Sequence, residues 1–223
     1  MGKRKTLDEI INLEDHVVIS NVHQRHGVGG RPALIVSKKK LMVQNLTQNV
    51  IQIPWGVEIV WAVIRPKKIQ SDSKIQKIML GAIYSKPNSR KKTATLHHIS
   101  NMFTQMSVKF QKGLHFIIAG DTNDLKLDST LQLSTSIKQV VTDVTRLNPP
   151  SILDPIMTTL APYYQKPQVL PPLDPDPDKN GKPSGHKIVK MKPINTLNNK
   201  PASTKRKVIF RPFPESGLNK ISQ

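Results

Sequence analysis

The stretch HFIIAGDTND, residues 115–124, decides how the chain is read. Phe116-Ile117-Ile118-Ala119 is an apolar run rich in β-branched side chains, the composition of a strand inside a sheet. It stops at Gly120, which lets backbone leave a strand or approach another group closely. Asp121 follows, and Asn123 two residues later. In extended chain, residues i and i+2 point the same way. The carboxylate and the carboxamide can therefore converge on one small target at a strand end. An Asx turn that closes a loop accounts for the same residues equally well.

Strand-like segments surround this one. VVISNV and, after the glycines at 27, 29 and 30, Pro32 to Val36 read as strands joined by a hairpin turn. No Gly-Lys-Ser/Thr follows those glycines, which argues against a phosphate-binding P-loop. LMVQNL, NVIQIPW, VEIVWAVI and IQKIMLGAIY are short, β-branched runs, with Pro54 limiting its own to an edge or a bulge. LDEIINL reads as one or two helical turns. Residues 93–111 space Leu96, Ile99, Met102, Phe103, Met106 and Phe110 by threes and fours, which predicts a helix with one apolar stripe, capped by Thr93 or Thr95. Residues 129–147 predict a second helix or a helix–strand pair, and 162–184 a Pro/Asp-rich loop before a last strand in GHKIVKMKPI. Many strands, two helices and no regular alternation predict an α+β or layered sandwich fold. The expected domain covers residues 1–196, with a basic tail or linker over 197–223.

Composition limits the partners. There are 34 Lys and Arg against 15 Asp and Glu, a formal net charge of +19. Such an excess favours a polyanion, most commonly nucleic acid. There is no cysteine, which excludes disulfides, thiolate metal sites and a cysteine nucleophile. No apolar run approaches the roughly 18 residues of a membrane span, and MGKRKTLDEI lacks the apolar core of a signal peptide. The expectation is an intracellular chain, nuclear or cytoplasmic, without a membrane partner.

Four segments place a polar group beside an apolar run: Tyr84 in IMLGAIYSKP, Asp121 and Asn123 in HFIIAGDTND, Asp154 in SILDPIMT, and His186 in PSGHKIV. A carboxylate in an apolar run needs a partner, because an unpaired charge is costly to bury. His186 is the natural one for Asp154: a carboxylate on one ring nitrogen fixes the tautomer and makes the other a better base. Taken one at a time, each residue has an ordinary structural reading.

Taken in order, AIYSKP, IIAGDTND, LDPIMT and SGHKIV resemble the endonuclease/exonuclease/phosphatase family, which includes apurinic endonucleases and the endonucleases of non-LTR retrotransposons. HQRHGVGGRPALIV resembles the glycine-rich turn and strand of the retrotransposon branch, and FRPFPESGLNK the linker that leads toward a reverse transcriptase. The likeness spans residues 17 to 217. It implies a DNase I-like two-sheet β sandwich flanked by helices, Mg²⁺-dependent hydrolysis of a DNA phosphodiester, and a reverse transcriptase downstream in a parent polyprotein. It implies that Asp121 activates the attacking water or protonates the leaving group. Asn123 would orient it, Tyr84 would contact phosphate, and His186, oriented by Asp154, would bond phosphate or act as base.

Two departures stand out. The family's last motif is Ser-Asp-His, and here it reads Ser184-Gly185-His186. The family's first strands, one ending in a Mg²⁺-binding glutamate, have no counterpart before the glycine turn, so the resemblance implies a domain lacking its first strands. Glu14 lies in the right part of the chain without that context. Beside Tyr84, the run SKPNSRKK offers Lys86, Asn88, Arg90, Lys91 and Lys92 to a DNA backbone. Two functions follow: a Mg²⁺-dependent DNA endonuclease, or a non-catalytic nucleic-acid-binding remnant of the same fold.

Overall fold

A computed structural model of the chain describes residues 14–20, 32–46, 52–68, 74–110, 113–127, 136–147, 149–171 and 186–194. The central layer is a six-stranded sheet. Its strands are β3 (Leu41–Asn45), β4 (Glu58–Pro66), β5 (Lys77–Tyr84), β6 (Leu114–Asp121), β7 (Lys138–Gln139) and β10 (Ile156–Thr158), in the order β3-β4-β5-β6-β10-β7. Neighbours run antiparallel except β5 and β6, which are parallel. Parallel neighbours need a crossover, and the 19-residue helix α1 (Lys92–Phe110) lies in the connection that supplies it.

The pleat of β4 shows how the layers assemble. Its residues are buried on both faces, and alternate side chains go to different cores. Ile59, Trp61 and Val63 join Ile99, Met102 and Met106 of α1. Val60 and Ala62 pack against Ile19. Ile19 belongs to a second, two-stranded layer, β1 (His16–Ser20) paired antiparallel with β2 (Ala33–Ser37). The apolar stripe of α1 sits where its spacing placed it, with Phe103 against Phe116 of β6 at 4.1 Å between ring centroids. The Trp61 indole donates to Nε2 of His98 at 3.1 Å, so a histidine of α1 sits in the core as a neutral acceptor.

β6 ends where the glycine stands. Gly120 has φ +144°, and a Cβ there would lie 1.9 Å from the carbonyl oxygen of Ile83. The carbonyl of β5 occupies the space a side chain would need. Among the described residues there are also two small antiparallel pairs, β8 (Arg146–Leu147) with β9 (Pro150–Ser151) and β11 (Gln168–Leu170) with β12 (Ile188–Lys190).

Several expectations change. The described part of NVIQIPW, residues 52–55, is not a strand: Val57 N–H donates to the Pro54 carbonyl at 3.1 Å and closes a turn instead. Of residues 129–147, expected as a helix or a helix–strand pair, those from 136 on hold the short strands β7 and β8, and residues 129–135 lie outside the described residues. Residues 168–170, expected as loop, pair with β12. Thr93 and Thr95 lie inside α1, and the Thr95 hydroxyl donates back to the Lys91 carbonyl. LDEIINL, the glycine-rich turn and the boundary near 196–197 lie outside the described residues.

Two outcomes follow. Gly120→Ala combines left-handed strain with a backbone clash and should cost about 3 kcal/mol or more, read as a lowered urea midpoint; an unchanged midpoint contradicts the packing. Burial, reinforced by the charge of His97, lowers the pKa of His98 from 6.5 to about 4. A depressed folded pKa means that its contribution is present above pH 6.5 and lost as pH falls toward 4. The loss is at most on the order of 3 kcal/mol. His98→Gln can still accept the indole proton and should flatten that pH dependence.

Candidate active site

The parallel register of β5 and β6 ends at Tyr84 opposite Asp121. Both side chains stand on the sheet face away from Ile83 and Gly120, as the pleat requires. The loops beyond the two strands are tied together. Ser85 N–H donates to the Asp121 carbonyl at 2.9 Å, and Asn123 Nδ2 donates to the Ser85 carbonyl at 2.8 Å. Asn123 has φ +46°, and its N–H donates to Asp121 Oδ1 at 3.1 Å. The chain therefore makes the Asx turn rather than continuing extended. The carboxylate and carboxamide are adjacent because of that turn, not because of strand alternation.

A second arm brings Asp154 and His186 to the same place. Thr145 is fully buried, and its hydroxyl accepts the N–H groups of Leu153 at 3.0 Å and Asp154 at 3.1 Å. Its carbonyl accepts Lys187 N–H at 2.8 Å, and Arg146 forms a β-bridge with His186. The arm meets the first where Thr122 N–H donates to the Leu153 carbonyl at 2.7 Å. His186 Nδ1 lies 3.0 Å from Asp154 Oδ2, and Nε2 lies 3.7 Å from Asp121 Oδ2. Burial pushes the Asp121 carboxyl up from 3.8, with His186 and the Asn123 N–H pulling the other way and Asp154 adding to the rise.

Asp121, Asp154 and His186 each offer a ligand atom within 4.8 Å of the others. Two hard carboxylates fit Mg²⁺, which needs only one or two and keeps several waters. Glu14 is exposed before β1 and is not in this cluster.

The basic loop is less uniform than its sequence. The Lys92 ammonium pairs with Asp124, and Asn88, at φ +55°, donates its N–H to the same carboxylate at 3.1 Å. These two tie the loop down. Lys86 lies 3.9 Å from Glu58, the Lys91 stem lies against Gly56, and Arg90 is exposed. Sequence reasoning missed Ser85, Asp124, Thr145 and Arg146. Asp124 is legible in retrospect as the last residue of the quoted stretch, whereas nothing marks Thr145. The buried Nε of Arg146 meets no hydrogen-bond partner among the described residues.

Thr145→Val keeps the shape and removes the acceptor of two N–H groups. It should cost about 1–3 kcal/mol and loosen the Asp154–His186 pair. A variant with parent stability would show that the hydroxyl does not hold this turn.

No family model matches the sequence, and no curated protein matches it. Among solved structures, the chain is similar to the human nocturnin catalytic domain with bound sulfate anion, at TM-score 0.52 and 11% identity, over 85% of this chain and 76% of that one. Weaker similarities reach an endonuclease/exonuclease/phosphatase family protein of Bacteroides thetaiotaomicron (TM-score 0.49, 14% identity, 80% and 75% covered) and a humanized D. rerio TDP2 (0.45, 13%, 79% and 73%). Likeness at such identity concerns fold. With one large mixed sheet and a single described α-helix, the chain has the DNase I-like fold of the endonuclease/exonuclease/phosphatase proteins.

Proposed function

We propose that the cleft hydrolyses phosphodiester bonds in DNA with Mg²⁺ as cofactor. The observation that carries this reading is the placement of His186 between Asp154 and Asp121. Asp154 accepts the Nδ1 proton, which leaves Nε2 as the lone-pair nitrogen. The 3.7 Å gap from Nε2 to Asp121 is too long for a hydrogen bond. A water bonded to both groups from beside that gap has a proton acceptor on either hand; as its proton passes to one of them its oxygen attacks phosphorus, the opposite P–O bond breaks, and the leaving oxygen takes up a proton from solvent. Tyr84 and Asn123 flank Asp121, where donors can meet the phosphate oxygens. Arg146, next to His186 across the bridge, adds a guanidinium. Mg²⁺ held by the Asp121 and Asp154 carboxylates would offset charge on the phosphate.

DNA as the substrate rests on the charge of +19 and on Lys86, Arg90 and Lys91 beside the cleft. The finer reading, an endonuclease of non-LTR retrotransposon type with a reverse transcriptase downstream, rests on the sequence motifs and on FRPFPESGLNK. A second reading, a non-catalytic nucleic-acid-binding remnant, is favoured by Gly185, which supplies no carboxylate where the family motif has one.

Nicking of supercoiled plasmid, with Mg²⁺ or EDTA, tests this. Nicking should require Mg²⁺ and fall about 10²-fold or more in Asp121→Ala while DNA binding persists. Equal rates for parent and variant would refute the assignment. No nicking with salt-sensitive binding retained would leave the second reading.

A further inference from the structure

Trp55 is 67% exposed, while the other tryptophan, Trp61, is fully buried. A single exposed apolar residue needs no explanation by itself. Three features set this one apart.

The first is rigidity. Trp55 occupies the second position of a closed turn, Pro54-Trp55-Gly56-Val57, with Val57 N–H on the Pro54 carbonyl and Gly56 at φ +79°, the geometry of a type II turn. The indole stands on a fixed base and loses little freedom on binding. The second is position. The turn leads into Glu58, which is in register with Tyr84, itself in register with Asp121. Two strand spacings put the start of β4 about 10 Å from Asp121. Two lysines lie near the turn and the start of β4: the Lys91 stem lies against Gly56, and the Lys86 ammonium lies 3.9 Å from Glu58. The third is the neighbouring surface. Gln52 and Pro54 line a cleft of about 260 Å³ with His97, Asn101, Gln105 and the buried His98 and Met102, and the side-chain amides of Gln52, Asn101 and Gln105 are groups of the kind that meet base edges.

We propose that Trp55 is a stacking platform for an unpaired nucleobase of the bound strand, with Lys86 and Lys91 taking the adjoining phosphates. This rests on the nucleic-acid reading above and narrows it to a strand with an unpaired base near the cleft. An apolar protein partner suits the site less well, because the apolar surface is one indole set among lysines.

The test is tryptophan emission during titration in EDTA, where no cleavage intrudes, with a short thymidine oligonucleotide and with a duplex of equal length. The single strand should quench the emission saturably, and the duplex should quench it much less. Trp55→Ala should lose the quenching and bind the single strand about 5- to 150-fold more weakly, as expected for one stacked base, with its salt dependence unchanged. Lys91→Ala should instead reduce the salt slope by about 0.7. Parent-like single-strand binding by Trp55→Ala, or equal quenching by duplex, would overturn the proposal. Quenching without any nicking by the parent would sink the catalytic reading and leave this one standing. Nicking with no effect of Trp55 would do the reverse.

Discussion

Eight consecutive parallel pairs, from Lys77 opposite Leu114 to Tyr84 opposite Asp121, hold β5 and β6 side by side. The chemistry of the cleft depends on that register. A shift by one residue would turn Asp121 toward the core under α1 and bring Gly120 to the cleft. Gly120 keeps the two strands close enough for the pairing to run to its end, since any side chain there would meet the Ile83 carbonyl. Past the strands, the Ser85 and Asn123 hydrogen bonds join the two loops, so Asp121 is aimed by backbone on both sides.

The other half of the site is held in a comparable way. Thr145, without exposure to solvent, anchors the Leu153–Asp154 turn through its hydroxyl and Lys187 through its carbonyl. His186 and Asp154 therefore meet although 32 residues separate them. Groups fixed before a ligand arrives need little reorganisation at the moment of reaction, which is where an electrostatic site gains its strength. The cost is local: Asp121 is kept half-buried, where its charged form is disfavoured.

How much of this was legible depended on how local each signal is. Period-two and period-three-four patterns carry β4, β5, β6 and α1, because burial on a pleat or a helix face is written into neighbouring residues. The ends of β5 and β6 were marked by Tyr84 and by Gly120-Asp121, and a paired Asp154 and His186 followed from the cost of burying a lone carboxylate. The short strands β7, β8 and β11 were not legible, since two or three residues carry no periodicity and their partners lie far along the chain. Thr145 was invisible for the same reason: its role is defined by the N–H groups it meets, not by its neighbours. The run SKPNSRKK showed the charge but not that Lys92 is paired with Asp124.

The most direct test of the site's organisation is the ¹⁵N signature of the His186 imidazole, assigned by its loss in His186→Gln. At a pH where the ring is neutral, the arrangement predicts a proton on Nδ1 and a bare Nε2, with that preference weakened in Asp154→Asn. A ring protonated on Nε2, or a tautomer mixture indifferent to Asp154, would contradict the claim that Asp154 orients His186 toward Asp121.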